Sequence, residues 1–465
     1  MSFVIYPLIC AAAAGIILVA ARLLRLRYSL RSLAIFVLLA GCCEALYINW
    51  GPWREERVFR RDKNGAFSAS SSQPTEDPNG ISALAFNADG SQLAMRSTSG
   101  ECQLGRIGDS SFKVLSAESS GWCEGLAFNP SGNMLASGVS LWSACVWDSR
   151  TGVPIRLFDI LQERAPSAGS NADHIEWLSE TEFVTWDPTS TSSVNICSVQ
   201  GETRVREIHS AKSLFYRVAP SPDGGTLAAA GIDGSLSVFD AASGTCRVTF
   251  KAHRGAIMAA TFSHDGAILA TGGNDCTIRV WNTKDWSLST TLVADAPIRD
   301  LSFTPNDKVL ASANGFADMW RTTDRSRLAT LRGHEGRISG ALAFPDSRRF
   351  LTVGAAEAPR IWDVGGRCLA ILRAAGLQRQ STYHRPRGVS AVALSRTGGL
   401  VAVGRYEGDI TLWRRHRPEW WWGIFYMLEF WFSAGFAVAL VWSLLADRRA
   451  FARMDAEAAR GKAAS

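Results

Sequence analysis

The stretch ATFSHDGAILATGGNDCTIRVWN, residues 260–282, decides the fold. It alternates apolar and polar residues, turns at Asp265-Gly266, alternates again, turns near Asp275, and ends a third segment at Trp281. Short alternating runs bounded by Asp-Gly-type turns predict antiparallel strands. The same course recurs in GLAFNPSGNMLASGVSLWSACVWD (125–148), ALAFPDSRRFLTVGAAEAPRIWD (341–363) and ALSRTGGLVAVGRYEGDITLW (393–413).

Working outward, the residue before each first turn is Phe86, Phe128, Trp177, Pro220, Phe262, Phe303, Phe344 and Leu394. The steps between them are 42, 49, 43, 42, 41, 41 and 50 residues. A period of about 40–45 residues is that of a four-stranded propeller blade. Eight repeats predict an all-β propeller of eight blades, or seven if a degenerate repeat is not a blade. The repeats around Phe86 and Trp177 are the degenerate ones. The last repeat supplies only three strands, ending at Trp413. The alternating segment ERVFRRD (56–62) is suited to supply the fourth and remove the open edges.

These residues resemble the WD-repeat (WD40) family over roughly 54–416. The name-giving pair is Trp147-Asp148 and Trp362-Asp363, softened to Phe239-Asp240, Trp281-Asn282, Trp320-Arg321 and Trp413-Arg414. Gly333-His334 is the Gly-His signature, with Ala252-His253 a near match. The resemblance implies a structural tetrad within a blade. His253, Thr271, Asp275 and Trp281 fill its four slots. His334, Thr352 and Trp362 fill three, with Ala356 where the Asp would stand. His209 sits near a histidine slot whose Ser/Thr position is Ala229. Closing four buried polar groups on one another satisfies them all. A structural role for His253 and Asp275 therefore outweighs a catalytic dyad. The resemblance also implies protein–protein binding rather than an enzyme.

The chain has 465 residues, 17 Trp and a formal charge of +6. That charge lies at the ends: 1–63 and 404–465 hold 18 Lys/Arg against 11 Asp/Glu, leaving 31 against 32 between them. The middle has no basic excess, which argues against nucleic acid as a partner. Three apolar runs predict transmembrane helices: Phe3 to Ala21, Leu33 to Trp50, and about Trp420 to Ala446. Buried core helices are the alternative. Trp50, Trp53 and Trp420–Trp422 suit the water–lipid boundary. The expected organisation is a helical hairpin over 1–52 with an Arg-rich loop and a propeller over 53–416. Within the propeller, 53–63 is the closing strand and 65–80 a linker. A third helix follows over 417–447, then a basic tail over 448–465.

Lys and Arg near the spans divide nine against nine between the two sides. The short hairpin loop with Arg22, Arg25, Arg27 and Arg31 carries more weight than a long domain. Loop and tail are thus expected to be cytoplasmic and the propeller extracytoplasmic. Ten cysteines, scattered and without C-x-x-C, read as small buried hydrophobes and pull towards a reducing compartment.

Glu44 and Glu429 interrupt apolar runs, where ionisable groups are expensive. They read as carboxyls bonded to a neighbouring helix, or as a shared proton site. Between the last two repeats, LRAAGLQRQSTYHRPRG carries Arg379, His384, Arg385 and Arg387. It is either a solvated insertion or a docking loop for an acidic partner or membrane lipid. No Walker loop, H-E-x-x-H or dinucleotide pattern is present, and no cofactor or metal is expected. The leading expectation is a membrane-anchored interaction scaffold. The alternatives are a small-ligand receptor or enzyme using the central channel, and a sensor coupled to the helices.

Overall fold

The computed structural model describes residues 53–61, 67–69, 80–116, 125–140, 143–159, 174–186, 193–201, 205–209, 214–334, 336–354, 357–373 and 388–415. Among these there is no helix, and the strands form eight antiparallel sheets within one compact unit, Trp53–Arg415. All the predicted membrane spans lie outside the described residues, as do Glu44, Glu429 and the residues Arg379, His384, Arg385 and Arg387.

Seven sheets have four strands and one has five. Each is one blade, including the two degenerate repeats, so the ring has eight blades and not seven. The turn-preceding residues do mark the blades. Phe86, Phe128, Trp177, Pro220, Phe262, Phe303 and Leu394 each end an innermost strand, and Phe344 directly follows one. We number the blades from Ile81–Phe86 (blade 1) to Val389–Leu394 (blade 8).

Because side chains alternate, each sheet buries one apolar face against the blade before it and one against the blade after. The result is eight separate apolar clusters, one at each junction. The junction of blades 8 and 1 is built like the others. There Phe59 is fully buried and meets Phe112 edge-to-face at 4.9 Å.

Phe59 belongs to the closing strand, Trp53–Arg61, which pairs antiparallel with Ile410–Arg415 of blade 8. Trp53 lies opposite Arg415 and Phe59 opposite Ile410. Two details differ from the sequence reading. Trp53 is not a boundary residue: it is 7% exposed and its ring lies 5.8 Å from Phe344 in the core between blades 7 and 8. And 65–80 is not all linker, since Phe67–Ala69 doubles back as a fifth strand on the closing strand. Backbone groups on that outer edge find partners this way rather than remaining an open template.

The strand directions give the ring two unlike faces. Turns from the first to the second strand and from the third to the outer strand lie on one face. Turns from the second to the third, and the links between blades, lie on the other. The third strand of blade 8 ends at Arg415 and the closing strand starts beside it at Trp53. Both ends of the propeller thus leave through the same blade on the first face, here the closing face. The opposite one is the loop face.

Candidate functional site

In blade 5 the four predicted tetrad residues meet. Trp281 Nε1 donates to Thr271 Oγ1 at 2.9 Å, Thr271 Oγ1 lies 2.8 Å from His253 Nε2, and His253 Nδ1 lies 3.0 Å from Asp275 Oδ1. Asp275 Oδ2 also accepts from Arg254 N at 3.1 Å, pinning the loop before the first strand. A chain of donors running from indole to hydroxyl to imidazole to carboxylate satisfies every group. It requires a neutral His253 with its proton on Nδ1. Burial does lower the His253 pKa, against the opposing pull of Asp275. Burial would raise Asp275, but hydrogen bonds from Thr277, His253 and Arg254 outweigh it and hold its pKa at about 2. The imidazole fits because Gly273 has no side chain: a Cβ there would run into its ring.

Blade 7 repeats the arrangement with one change. Trp362 Nε1 donates to Thr352 Oγ1 at 2.7 Å, and Thr352 lies 2.8 Å from His334 Nε2. The carboxylate that the sequence reading found missing at Ala356 comes from Glu357, whose Oε2 lies 3.1 Å from His334 Nδ1. Its other oxygen accepts from Gly336 N, as Asp275 does from Arg254. The longer Glu side chain covers the offset of one residue. Glu357 is the tetrad residue that reading by fixed spacing missed. The backbone of His209 belongs to the outer strand Val205–His209 of blade 3.

The remaining blades follow a register rule. The hydroxyl slot lies two residues beyond the partner of the Trp slot. Trp147 donates to Ser137 at 3.2 Å and Trp320 to Ser312 at 3.1 Å. Blade 4 has Phe239 and Ala229, apolar at both positions. Blades 8 and 3 break the pairing in opposite ways. In blade 8, Trp413 pairs with Val401, the hydroxyl slot is Val403, and the buried Trp413 Nε1 has no partner among the described residues. In blade 3, Cys197 holds the Trp slot and Thr185 the hydroxyl slot, and the buried Thr185 hydroxyl has no partner among the described residues. In blade 1, Gly105 occupies the Trp slot and the Phe112 ring covers it. His253, Thr271, Trp281, His334, Thr352 and Trp362 are buried, with Asp275 and Glu357 partly exposed at the blade edge, so the tetrads hold the scaffold together.

Two surfaces offer more. The inner strands line the central channel mostly with small residues, but three charges converge there. Glu176 of blade 3 and Arg217 of blade 4 approach to 3.5 Å, both about a third exposed (36%). Asp300 of blade 6 accepts from Leu301 N at 2.9 Å and Ala341 N at 3.1 Å. Burial raises both carboxyls, Arg217 opposes this, and Asp300 raises Glu176 further across the bore. The repeat pattern gave no sign of this cluster, because each residue replaces a small one in its own blade.

The second surface is the loop face. Its turns expose Ile232 (42%), Phe316 (46%) and Tyr406 (49%) in blades 4, 6 and 8. The turn carrying Phe316 packs against the link after blade 5, where Val293 is 68% exposed. A separate apolar strip, Val153, Ile155 and Leu157, lies on the rim of blade 2. Among the described residues no group of three or more His, Cys, Asp or Glu is placed to hold a metal ion. Of the described cysteines, Cys102, Cys145 and Cys197 are buried and Cys246 is exposed, all as free thiols.

Comparison with known proteins agrees with the architecture. The family described as "WD domain, G-beta repeat" matches residues 110–148, 202–240 and 244–282. The chain is 29% identical to Protein FIZZY-RELATED 3 of Arabidopsis thaliana over 151 residues, 31% of each chain. It is 31% identical to the WD repeat-containing protein srw1 of Schizosaccharomyces pombe over 143 residues, 29% of this chain and 26% of that one. With Protein HIR1 of Cryptococcus neoformans it shares 25% identity over 231 residues, 42% of this chain and 26% of the other. The match thus spans about a third or less of each relative's length. The repeats, their register and the closed ring together make this chain an eight-bladed β-propeller carrying WD40 repeats.

Proposed function

We propose that the protein is a membrane-tethered interaction scaffold whose loop face receives a protein partner. The observation that carries this reading is the pairing of Trp53 with Arg415, which brings both ends of the propeller to one blade on the closing face. The apolar run Leu33 to Trp50 stops just before that point, and the run from about Trp420 begins just after it. Membrane attachment through these two chain ends would leave the loop face away from the bilayer. Ile232, Phe316 and Tyr406 then stand where a soluble partner can reach them. Exposed apolar residues on a rigid frame mark interaction surfaces. WD-repeat propellers commonly bind proteins, and the repeats matched here support the same use. Arg22, Arg25, Arg27 and Arg31 between the first two apolar runs support a cytoplasmic loop and tail and an extracytoplasmic propeller.

Orientation is tested by thiol labelling in intact cells with a membrane-impermeant maleimide. One chain keeps Cys246 as its single cysteine; the other has none but Ala458→Cys in the tail. Labelling of Cys246 alone supports the proposed topology, and labelling of the tail alone reverses it. A photo-crosslinking residue at Phe316 or Tyr406 should give a discrete protein adduct, and one at Asp223 on the closing face should not. The opposite distribution refutes the loop-face assignment.

The converging charges of Glu176, Arg217 and Asp300 favour a second reading, a channel site for a small charged ligand. Arg217→Ala would then abolish ligand binding while leaving the loop-face crosslinks intact.

A further inference from the structure

The closing face is not uniformly charged. In blades 3 to 5 its turns carry the acids Glu180, Asp223, Asp240 and Asp265, of which Asp240 is paired with Arg247. In blades 7 and 8 they carry arginines in excess over Asp346 and Asp363. Arg348 follows the first strand of blade 7, Arg396 that of blade 8, and Arg54 and Arg415 lie at the junction with the closing strand. These four are exposed. Arg54, Arg348 and Arg415 take part in no ion pair among the described residues, and Arg396 donates to the backbone oxygen of Pro130 at 2.9 Å.

Arg54, Arg348 and Arg415 belong to one patch, while the Arg396 guanidinium reaches away from it to blade 2. The turn holding Arg396 packs on the turn holding Arg348, with Gly398 so close that a Cβ there would sit 3.1 Å from Pro345. Arg415 is near enough to that turn to act electrostatically on both Asp346 and Arg349. Arg54 is one register step away, beside Arg414. Blades 7 and 8 stand diametrically opposite blades 3 and 4 in an eight-membered ring, so the face has a basic side and an acidic side.

We propose that the sector of Arg54, Arg348 and Arg415 rests on anionic lipid headgroups, tilting the ring so that blades 7 and 8 touch the bilayer and blades 3 and 4 are raised from it. The proposal rests on the membrane-tethered reading above. Lipid is the occupant because the apolar runs that flank the propeller end at Trp50 and restart near Trp420, on either side of this patch. A guanidinium near an anionic bilayer gains roughly fivefold in partitioning. The acids of the raised side would be repelled by the same surface.

The full chain is reconstituted in lipid nanodiscs of phosphatidylcholine, with or without about a third phosphatidylglycerol. Its arginines are modified with phenylglyoxal and adducts are quantified by mass spectrometry. Arg54, Arg348 and Arg415 should react roughly fivefold more slowly in the anionic discs, by the same partitioning. Arg150, on the same face in blade 2, and Arg254, on the loop face, should react equally in both. High salt, which shortens the Debye length to about 3 Å near 1 M, should remove the difference. Equal rates in both discs, with the chain incorporated, overturn this proposal alone and leave the sector to an acidic protein. A chain that does not incorporate overturns the membrane-tethered reading and this proposal with it.

Discussion

Replacing threonine by valine at the hydroxyl slot should have opposite effects in blades 5 and 3. The two side chains have nearly the same volume, so neither change opens a cavity. Thr271 accepts from Trp281 Nε1 and bonds His253 Nε2, and both partners are buried. Thr271→Val leaves an indole N–H and an imidazole nitrogen unpaired. At about 1–3 kcal/mol for each orphaned buried group, the cost is about 2–6 kcal/mol. Thr185 is 1% exposed and its hydroxyl has no partner among the described residues. Thr185→Val removes a buried polar atom and orphans nothing, so it should stabilise by about 1 kcal/mol. Unfolding entropy near 2.1 cal/mol/K per residue over about 360 residues gives a Tm change of about 1.3 °C per kcal/mol. Thermal unfolding followed by tryptophan fluorescence should show Thr271→Val about 3–8 °C lower and Thr185→Val about 1 °C higher on the same basis. Equal shifts in the two variants would refute the tetrad as a hydrogen-bonded clamp.

Val403→Thr should provide the missing acceptor for Trp413 Nε1 and raise stability by about 1 kcal/mol, read as a higher denaturant midpoint. Glu357→Ala should cost about 1–3 kcal/mol, because His334 Nδ1 and Gly336 N lose their acceptor; an unchanged midpoint would make Glu357 a bystander. His253 and His334 both have folded-state pKa values lowered below 6.5, first by burial. Their contribution is therefore fully present above the unfolded value and is lost as pH falls below it, since the unfolded chain then binds more protons. Asp275, depressed from 3.8 to about 2, adds a second loss between those two values, below the histidine window. Tm measured from pH 8 to pH 5 should decline on the acid side, and less steeply in a Thr271→Val, Thr352→Val chain.

The blades were legible because their rule is local and repeated. An aromatic or apolar residue, an Asp-Gly-type turn and an alternating strand recur at one period, and the eight positions from Phe86 to Leu394 mark eight inner strands. The closing strand was legible for a complementary reason: a repeat one strand short implies a strand elsewhere, and ERVFRRD alternated correctly. What escaped depends on reach or on neighbours distant in sequence. Glu357 was missed because a side-chain length, not a spacing, brings its carboxylate to His334. Trp53 was assigned to a lipid boundary because an aromatic beside an apolar run looks the same whether it meets lipid or Phe344. Phe112 stands in for a missing tryptophan by leaning over Gly105 from the outer strand. Glu176, Arg217 and Asp300 lie in three different blades, and only the closed ring brings them to one bore.

The closing strand also sets an order of assembly. Trp53–Arg61 is among the first residues of the propeller to be synthesised, and its partner Ile410–Arg415 is the last. Blades 1 to 7 can form as they emerge, since each is a local meander. The strand that completes blade 8 must wait, unpaired, until nearly the whole ribbon has been made. Pairings so distant in sequence form slowly, and waiting strand edges invite the wrong partner. The ring therefore has a single latch, and the interval before it shuts is when a nascent chain is most exposed to mispairing with its neighbours.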